Sequence, residues 1–293
     1  MHFTRLQLED IETVRPFFDG INPKTCDYTI GTIMMWRDYF NVEYAIEDGM
    51  LFSRMHTTEG EYYYNLPVGN GTVLTQDLYA RMGDGAETLR FSVIPEHLLE
   101  ALQAGNHVRS VTEQTDFGDY IYDAQALRSF AGKKYGGQRN HVHQFEKGAA
   151  SWSFEPITGE NIPAVRAFFV EQYLAAAAHG SYEEEENRKV LEVLDRFDEY
   201  GMFGGALFLD GRVVGFSINE ICGDMLFTHI EKADKTVHGA YQMVVQQSAQ
   251  RFAPDRIAFI NREEDMGDPG LRASKQSYHP TAVIPKYIVE LTR

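Results

Sequence analysis

The chain has 293 residues, 43% hydrophobic and 13% aromatic, and carries a formal net charge of −16. Such a composition supplies sizeable cores and excludes a disordered or low-complexity protein, while the acidic field opposes extended binding to a DNA backbone or an anionic membrane, which rests on Lys and Arg. Only Cys26 and Cys222 are present, one in each half, so there is no disulfide framework and no Cys-x-x-Cys metal pair. Both are expected to be buried apolar thiols. No apolar run approaches the roughly 18 residues of a membrane span, and Met1 to Thr4 lack the basic and apolar character of a leader, so a cytoplasmic protein is expected.

In chain order, Ile11 to Phe18 reads as a helix and Cys26 to Phe40 as a second helical segment. Val42 to Arg54 reads as a hairpin turned by Asp48 and Gly49, and Glu61 to Leu66 as a strand. Gln76 to Met82 is expected as helix, Leu89 to Ile94 as strand, Glu96 to Ala104 as helix, and Asp119 to Asp123 as a strand closing the first half. Gly69, Asn70 and Gly71 lack a strand-to-helix context and read as a turn. After residue 150 the pattern begins again. Phe3, Leu6, Ile11, Val14, Arg15, Phe17 and Phe18 recur as Phe154, Ile157, Ile162, Val165, Arg166, Phe168 and Phe169, at a constant offset of 151 residues. The Asp48, Gly49 hairpin recurs at Asp210, Gly211. Ser181 with Glu184 fits a capping box ahead of a helix that stops at Gly201. Three meander strands follow to Glu231, then a helix opening at Gly239, a strand at Arg256 to Ile260, a helix through Leu271 to Ser277 and a last strand from Ala282 to Leu291. A period of half the chain suits two complete domains rather than a solenoid. The expected division is 1–148, including a basic linker at 128–147, and 149–293. Each domain is expected to be an α/β, α+β-type mixed sheet flanked by helices.

Charge is divided evenly, −8 in residues 1–150 and −8 in the rest. The linker departs from this. Arg128, Lys133, Lys134, Arg139 and Lys147 stand against Glu146 alone, so the strip reads either as a grip for a phosphate group or RNA end, or as a solvated linker helix. His141 and His143 would share one strand face, with no third ligand evident, and no metal is expected.

The order β-α-α-β-β-β-α-β-α-β of the second half, with a glycine before Tyr241, resembles the GNAT N-acyltransferase fold. His229 to Asp234, Gly239 to Gln242, Asn261 to Gly267, Gly270 to Arg272 and Lys275 to Pro280 resemble the soluble domain of phosphatidylglycerol lysyltransferase and its cytosolic relatives. So do Cys26 to Thr29 with Trp36 and Arg37, and Gly132 to Tyr135 with Arg139 to His141. The resemblance covers most of the chain and implies two GNAT-like domains in tandem, as in the Fem-type aminoacyltransferases.

What the resemblance implies about chemistry falls on particular residues. An acyl-CoA donor would lie where a strand turns into a helix, at Lys235, His238, Gly239, Ala240 and Tyr241, with Asn261 meeting a pantetheine amide. Gly239 could equally be a small residue needed for packing, and Asn261 a turn residue. Glu231 is the candidate base, with His229 on the same alternating face as a relay; a buried salt bridge to Lys232 or Arg262 is the alternative. Tyr278 stands where a leaving-group acid is implied, or it caps a core contact. Glu183 and Glu184, with their acidic neighbours, could attract an amine substrate or merely suit a helix N-terminus. Three functions are carried forward: acyl transfer from coenzyme A to a small-molecule amine, aminoacyl transfer from aminoacyl-tRNA with Lys133, Lys134 and Arg139 gripping the RNA, and a non-catalytic sensor.

Overall fold

The computed structural model describes residues 1–57, 59–83, 85–174 and 182–293. The Ser181 half of the expected capping box lies outside them. The chain separates into two compact units, one of Met1–Tyr120, Glu263–Arg272 and Ala282–Arg293, the other of Ile121–Arg262 and Ala273–Thr281. Among the described residues no helix is long and apolar enough to cross a membrane.

The two sheets repeat one plan. In the first unit the strands lie in the order Thr4–Arg5, Glu43–Glu47, Met50–His56, Tyr62–Tyr64, Thr88–Pro95, Lys286–Thr292 and His107–Glu113. In the second the order is Trp152–Pro156, Phe203–Leu209, Arg212–Cys222, Met225–Ala233, Phe259–Asn261 and then the strand Asp119–Asp123. In each sheet the fourth strand runs parallel to the fifth, and the fifth is antiparallel to the sixth. The hairpins at Asp48, Gly49 and Asp210, Gly211 place both turn residues at positive φ, as a two-residue turn of matching twist demands. Leu6, Phe91 and Ile94 in the first unit, and Phe169, Phe216 and Leu226 in the second, are fully enclosed.

The expected division at residue 148 differs from this arrangement, because strand pairing rather than chain order decides membership. The sixth strand of each sheet comes from the other half of the sequence: Lys286–Thr292 pairs with Thr88–Pro95, and Asp119–Asp123 with Phe259–Asn261. The last predicted strand is broken at Pro285 into Ala282–Ile284 and Lys286–Thr292. The basic segment belongs to the second unit, where Gly136–Gly148 is a helix. His141 and His143 are therefore two residues apart on a helix, not on one strand face. Cys26 to Phe40 shortens to a single turn and the helix Ile30–Trp36.

Cys26 is buried, but its surroundings are ionic rather than apolar. The Lys286 ammonium, fully enclosed, lies 2.6 Å from Asp27 Oδ2, 2.7 Å from Asp119 Oδ1 and 3.5 Å from Glu264 Oε2. It also donates to Cys26 Sγ at 3.5 Å, and the Cys26 amide donates to Asp119 Oδ2 at 2.7 Å. Cys26, Asp119 and Glu264 are close enough together to be read as metal ligands. The ammonium already stands among them and supplies the positive charge that such a donor set requires. Burial, reinforced by Asp119 and Glu264, pushes the thiol up, and a thiol so held is a poor nucleophile.

Replacing Lys286 with Met strands three carboxylates in the core and is expected to cost about 3–5 kcal/mol of unfolding free energy, read from urea denaturation. Burial also pushes the Asp27 carboxyl up to about 7 against the pull of Lys286, from an ordinary value of 3.8. The folded chain thus holds a proton that the unfolded chain releases. The stability this gives is complete below the unfolded value and is lost as pH rises toward about 7. Unfolding midpoints measured between those limits should decline less steeply in Asp27→Asn than in the parent.

Candidate active site in the second unit

The central strand Met225–Ala233 and its parallel neighbour Phe259–Asn261 are in register at only three positions, ending at Phe227 opposite Asn261. Beyond that point the neighbour stops and the central strand runs on for six residues to Ala233. The strand also carries a bulge. Ile218 faces Ile230 and Asn219 faces Thr228, so His229 is the extra residue. The bulge overturns the simple alternation expected for this strand. Phe227 lies opposite Glu220 and Glu231 opposite Ser217, three residues apart on the partner, so the two point to opposite faces. His229 stays on the Phe227 face, where its Nε2 meets Glu220 Oε2 at 3.1 Å and its ring stacks on Phe227. It is therefore no relay for Glu231. Asn261, opposite Phe227, shares the His229 face and is fully buried.

On the other face the structure gathers Glu231, Arg262 and Tyr278. Arg262 is the first residue after the neighbouring strand, and its Nη2 donates to Glu231 Oε1 at 2.5 Å. Both side chains are about nine-tenths buried, at 10% and 12% exposure. The guanidinium carbon stands 4.5 Å from the centre of the Tyr278 ring and 5.4 Å from that of Tyr122, within cation–π range. Burial opposes the charged guanidinium and Glu231 outweighs it, holding Arg262 protonated. Burial likewise raises the Tyr278 phenol, against the pull of Arg262, so it keeps its proton at neutral pH. The helix Pro269–Ser277 delivers Tyr278 to this place. Tyr135 Oη donates to the Tyr278 carbonyl at 3.1 Å, Gln138 to that of Ser277 at 2.6 Å and Tyr122 to that of Lys275 at 2.8 Å. Lys275 Nζ in turn donates to the Arg262 carbonyl at 2.6 Å.

The expected donor turn is elsewhere and is closely packed. Gly239 takes φ +82° at the start of the helix Ala240–Phe252, and a Cβ there would overlap the carbonyl oxygen of His141. His238 Nε2 lies 3.0 Å from His141 Nδ1. Ala240 is buried behind them and Lys235 is exposed. At the end of the central strand, Tyr173 Oη donates to the Ala233 carbonyl at 2.6 Å and accepts from the Ala233 amide at 3.0 Å. Since that proton is spent, Tyr241 is the donor in the 2.9 Å contact between the two hydroxyls. Neither Tyr122 nor Tyr173 stands out in the sequence, where each is one aromatic among 16 tyrosines.

The remaining candidates lie apart from the Glu231 cluster. Glu183 is exposed and Glu184 half-buried in the first turn of the helix Tyr182–Asp195, and Glu186 from the next turn pairs with Lys232 at 2.8 Å. Lys133 and Lys134 are exposed. Arg139 instead donates to the carbonyls of Phe130 and Gly132, bracing the left-handed turn at Phe130.

A family model described as phosphatidylglycerol lysyltransferase, C-terminal, matches residues 18–290. The chain belongs to that family. It is similar over 99% of both chains to a conserved protein from Bacteroides thetaiotaomicron, at 27% identity and TM-score 0.85. It resembles the C-terminal domain of a lysylphosphatidylglycerol synthetase from Agrobacterium fabrum at 15% identity and TM-score 0.67, over 96% of this chain and 91% of that one. FemX shares the fold at 9% identity and TM-score 0.58, over 100% and 98%. A curated relative from Mycoplasmoides gallisepticum is 23% identical over 59% of this chain, and the match spans only 56% of that relative's length. The Agrobacterium domain and FemX share with this chain the fold of two mixed-sheet units, and the family, by its description, is one of transferases.

If Gly239 serves helix packing, Gly239→Ala must destabilise the protein. The left-handed conformation alone disfavours an L side chain by about 1–2 kcal/mol, and the overlap with His141 adds to it. The thermal midpoint should fall, whereas Lys235→Ala on the same turn should leave it unchanged.

Proposed function

We propose that the chain transfers an aminoacyl group from the ester of an aminoacyl-tRNA to an amine, at the opening between Met225–Ala233 and Phe259–Asn261. The observation that carries this reading is the proton-holding Tyr278 phenol beside the Arg262–Glu231 pair. A leaving ribose oxygen is far more basic than a thiolate and needs a proton as it departs, and a phenol that stays protonated at neutral pH has one to give. Arg262 sits ready for negative charge developing on the carbonyl oxygen, in surroundings of low dielectric. The family's own description, a lysyltransferase, is of the same reaction class.

Two further features weigh against coenzyme A as the donor. An extended amide arm entering between the strands would seek the free main-chain groups of the central strand, and those of Ala233 are taken by the Tyr173 hydroxyl. A pyrophosphate at the next helix would need approach to the turn where Gly239 packs on the His141 carbonyl. The acidic chain can still meet an RNA 3′ end, since a few terminal nucleotides require few cationic contacts. Exposed Lys134 lies over the Tyr135 ring at 5.1 Å, and Tyr135 is bonded to the Tyr278 carbonyl, which ties the lysines to the reacting loop.

The test offers the purified protein aminoacyl-tRNA or acetyl-CoA, with hydroxylamine standing in for the amine, and measures hydroxamate above the protein-free rate. Turnover is expected with aminoacyl-tRNA, and Tyr278→Phe should lower it by about a hundredfold or more. Turnover of acetyl-CoA with aminoacyl-tRNA left intact would overturn the reading.

A further inference from the structure

The Arg262–Glu231 pair is made end-on, one nitrogen to one oxygen, where a guanidinium and a carboxylate can pair fork to fork through two parallel bonds. Half of each group is left over. Arg262 Nη1 is buried with no hydrogen-bond partner, and the bond from Arg262 Nη2 goes to Glu231 Oε1, which leaves the second carboxylate oxygen outside the pair. The guanidinium stacks against the Tyr278 ring. A buried guanidinium N–H without an acceptor costs free energy, about 1–3 kcal/mol or more for a charged group. Such an orphan in a native core calls for an explanation. The aromatic faces of Tyr278 and Tyr122 offset part of the charge but accept no directed hydrogen bond of ordinary strength.

We infer that Arg262 and Glu231 form a two-ended clamp for an α-amino acyl group, Arg262 Nη1 donating to the acyl carbonyl oxygen and the free Glu231 oxygen accepting from the α-ammonium. The inference rests on the aminoacyl reading above and deepens it by assigning what recognises the amino group. The match is one of chemistry and spacing. An α-amino ester presents a cationic donor and a carbonyl acceptor on adjacent carbons, and the pair presents an anionic acceptor and a cationic donor on adjoining groups. An acetyl group satisfies only one end. Binding it would leave the Glu231 oxygen unpaired, which is how a site built for a polar group rejects an analogue lacking that group. The direct bond between Arg262 and Glu231 sets the separation of the two ends, and the Lys275 contact to the Arg262 carbonyl holds the backbone that carries it.

The probe is an amide-linked 3′-aminoacyl-adenosine, which resists hydrolysis, in lysyl and alanyl forms, each compared with its des-amino counterpart by calorimetric titration of the full chain. The parent protein should bind the amino forms about tenfold or more tightly than the des-amino forms, the equivalent of one charge-assisted hydrogen bond. Glu231→Gln should abolish that preference while still binding both, and Arg262→Lys should weaken both alike. Equal affinity of the parent for amino and des-amino forms would overturn the clamp and leave the aminoacyl reading standing. Binding of neither form, with coenzyme A bound instead, would remove both. The comparison on the parent protein decides the matter even if a variant fails to fold.

Discussion

A parallel ladder that ends after three residue pairs is the constraint on which the second unit is built. Once the neighbouring strand stops at Asn261, the last six residues of the central strand have one edge without a strand partner among the described residues. Main-chain groups left there must be satisfied by something else. The chain answers at Ala233 with the Tyr173 hydroxyl, which serves both of its main-chain polar groups, while Arg262, just past the break, turns in to pair with the Glu231 side chain. The bulge at His229 makes that second contact possible by turning Glu231 to the face opposite Phe227. A regular strand would have left the carboxylate facing away from the tyrosines and the arginine.

The same plan of strands is put to different use in the first unit. There an ammonium is wholly enclosed among carboxylates, and the groups concerned come from residues 26–27, 119, 264 and 286. A core of this kind contributes little net stability over an apolar one, but it is costly to break. It anchors the terminal strand against Thr88–Pro95. The first unit thus encloses an ammonium paired with several carboxylates, and the second a guanidinium with one nitrogen left without a partner.

What was legible in the sequence was local or periodic. The repeated Phe and Ile spacing, the two Asp-Gly turns and the meander are written into neighbouring residues, and the structure bears them out. The motif around Asn261 to Pro280 was legible, and the structure brings Glu231, Arg262 and Tyr278 together. The strand exchange was not legible, because Lys286–Thr292 and Asp119–Asp123 look the same in sequence whichever sheet they join. Nor was the bulge, since no glycine or proline marks His229, and counting by twos then put His229 and Glu231 on one face. Tyr173 is a further case: its part depends on a main-chain group 60 residues away, which no local pattern encodes.

Whether the break between the two strands receives an α-amino acyl group against Arg262 would be seen in a crystal structure of the protein with an amide-linked 3′-lysyl-adenosine. Ligand density is expected at the break, with the carbonyl oxygen within hydrogen-bonding distance of Arg262 Nη1 and the α-nitrogen at Glu231. Density for the lysyl group elsewhere, with Arg262 Nη1 still unpartnered beside Tyr278, would contradict it.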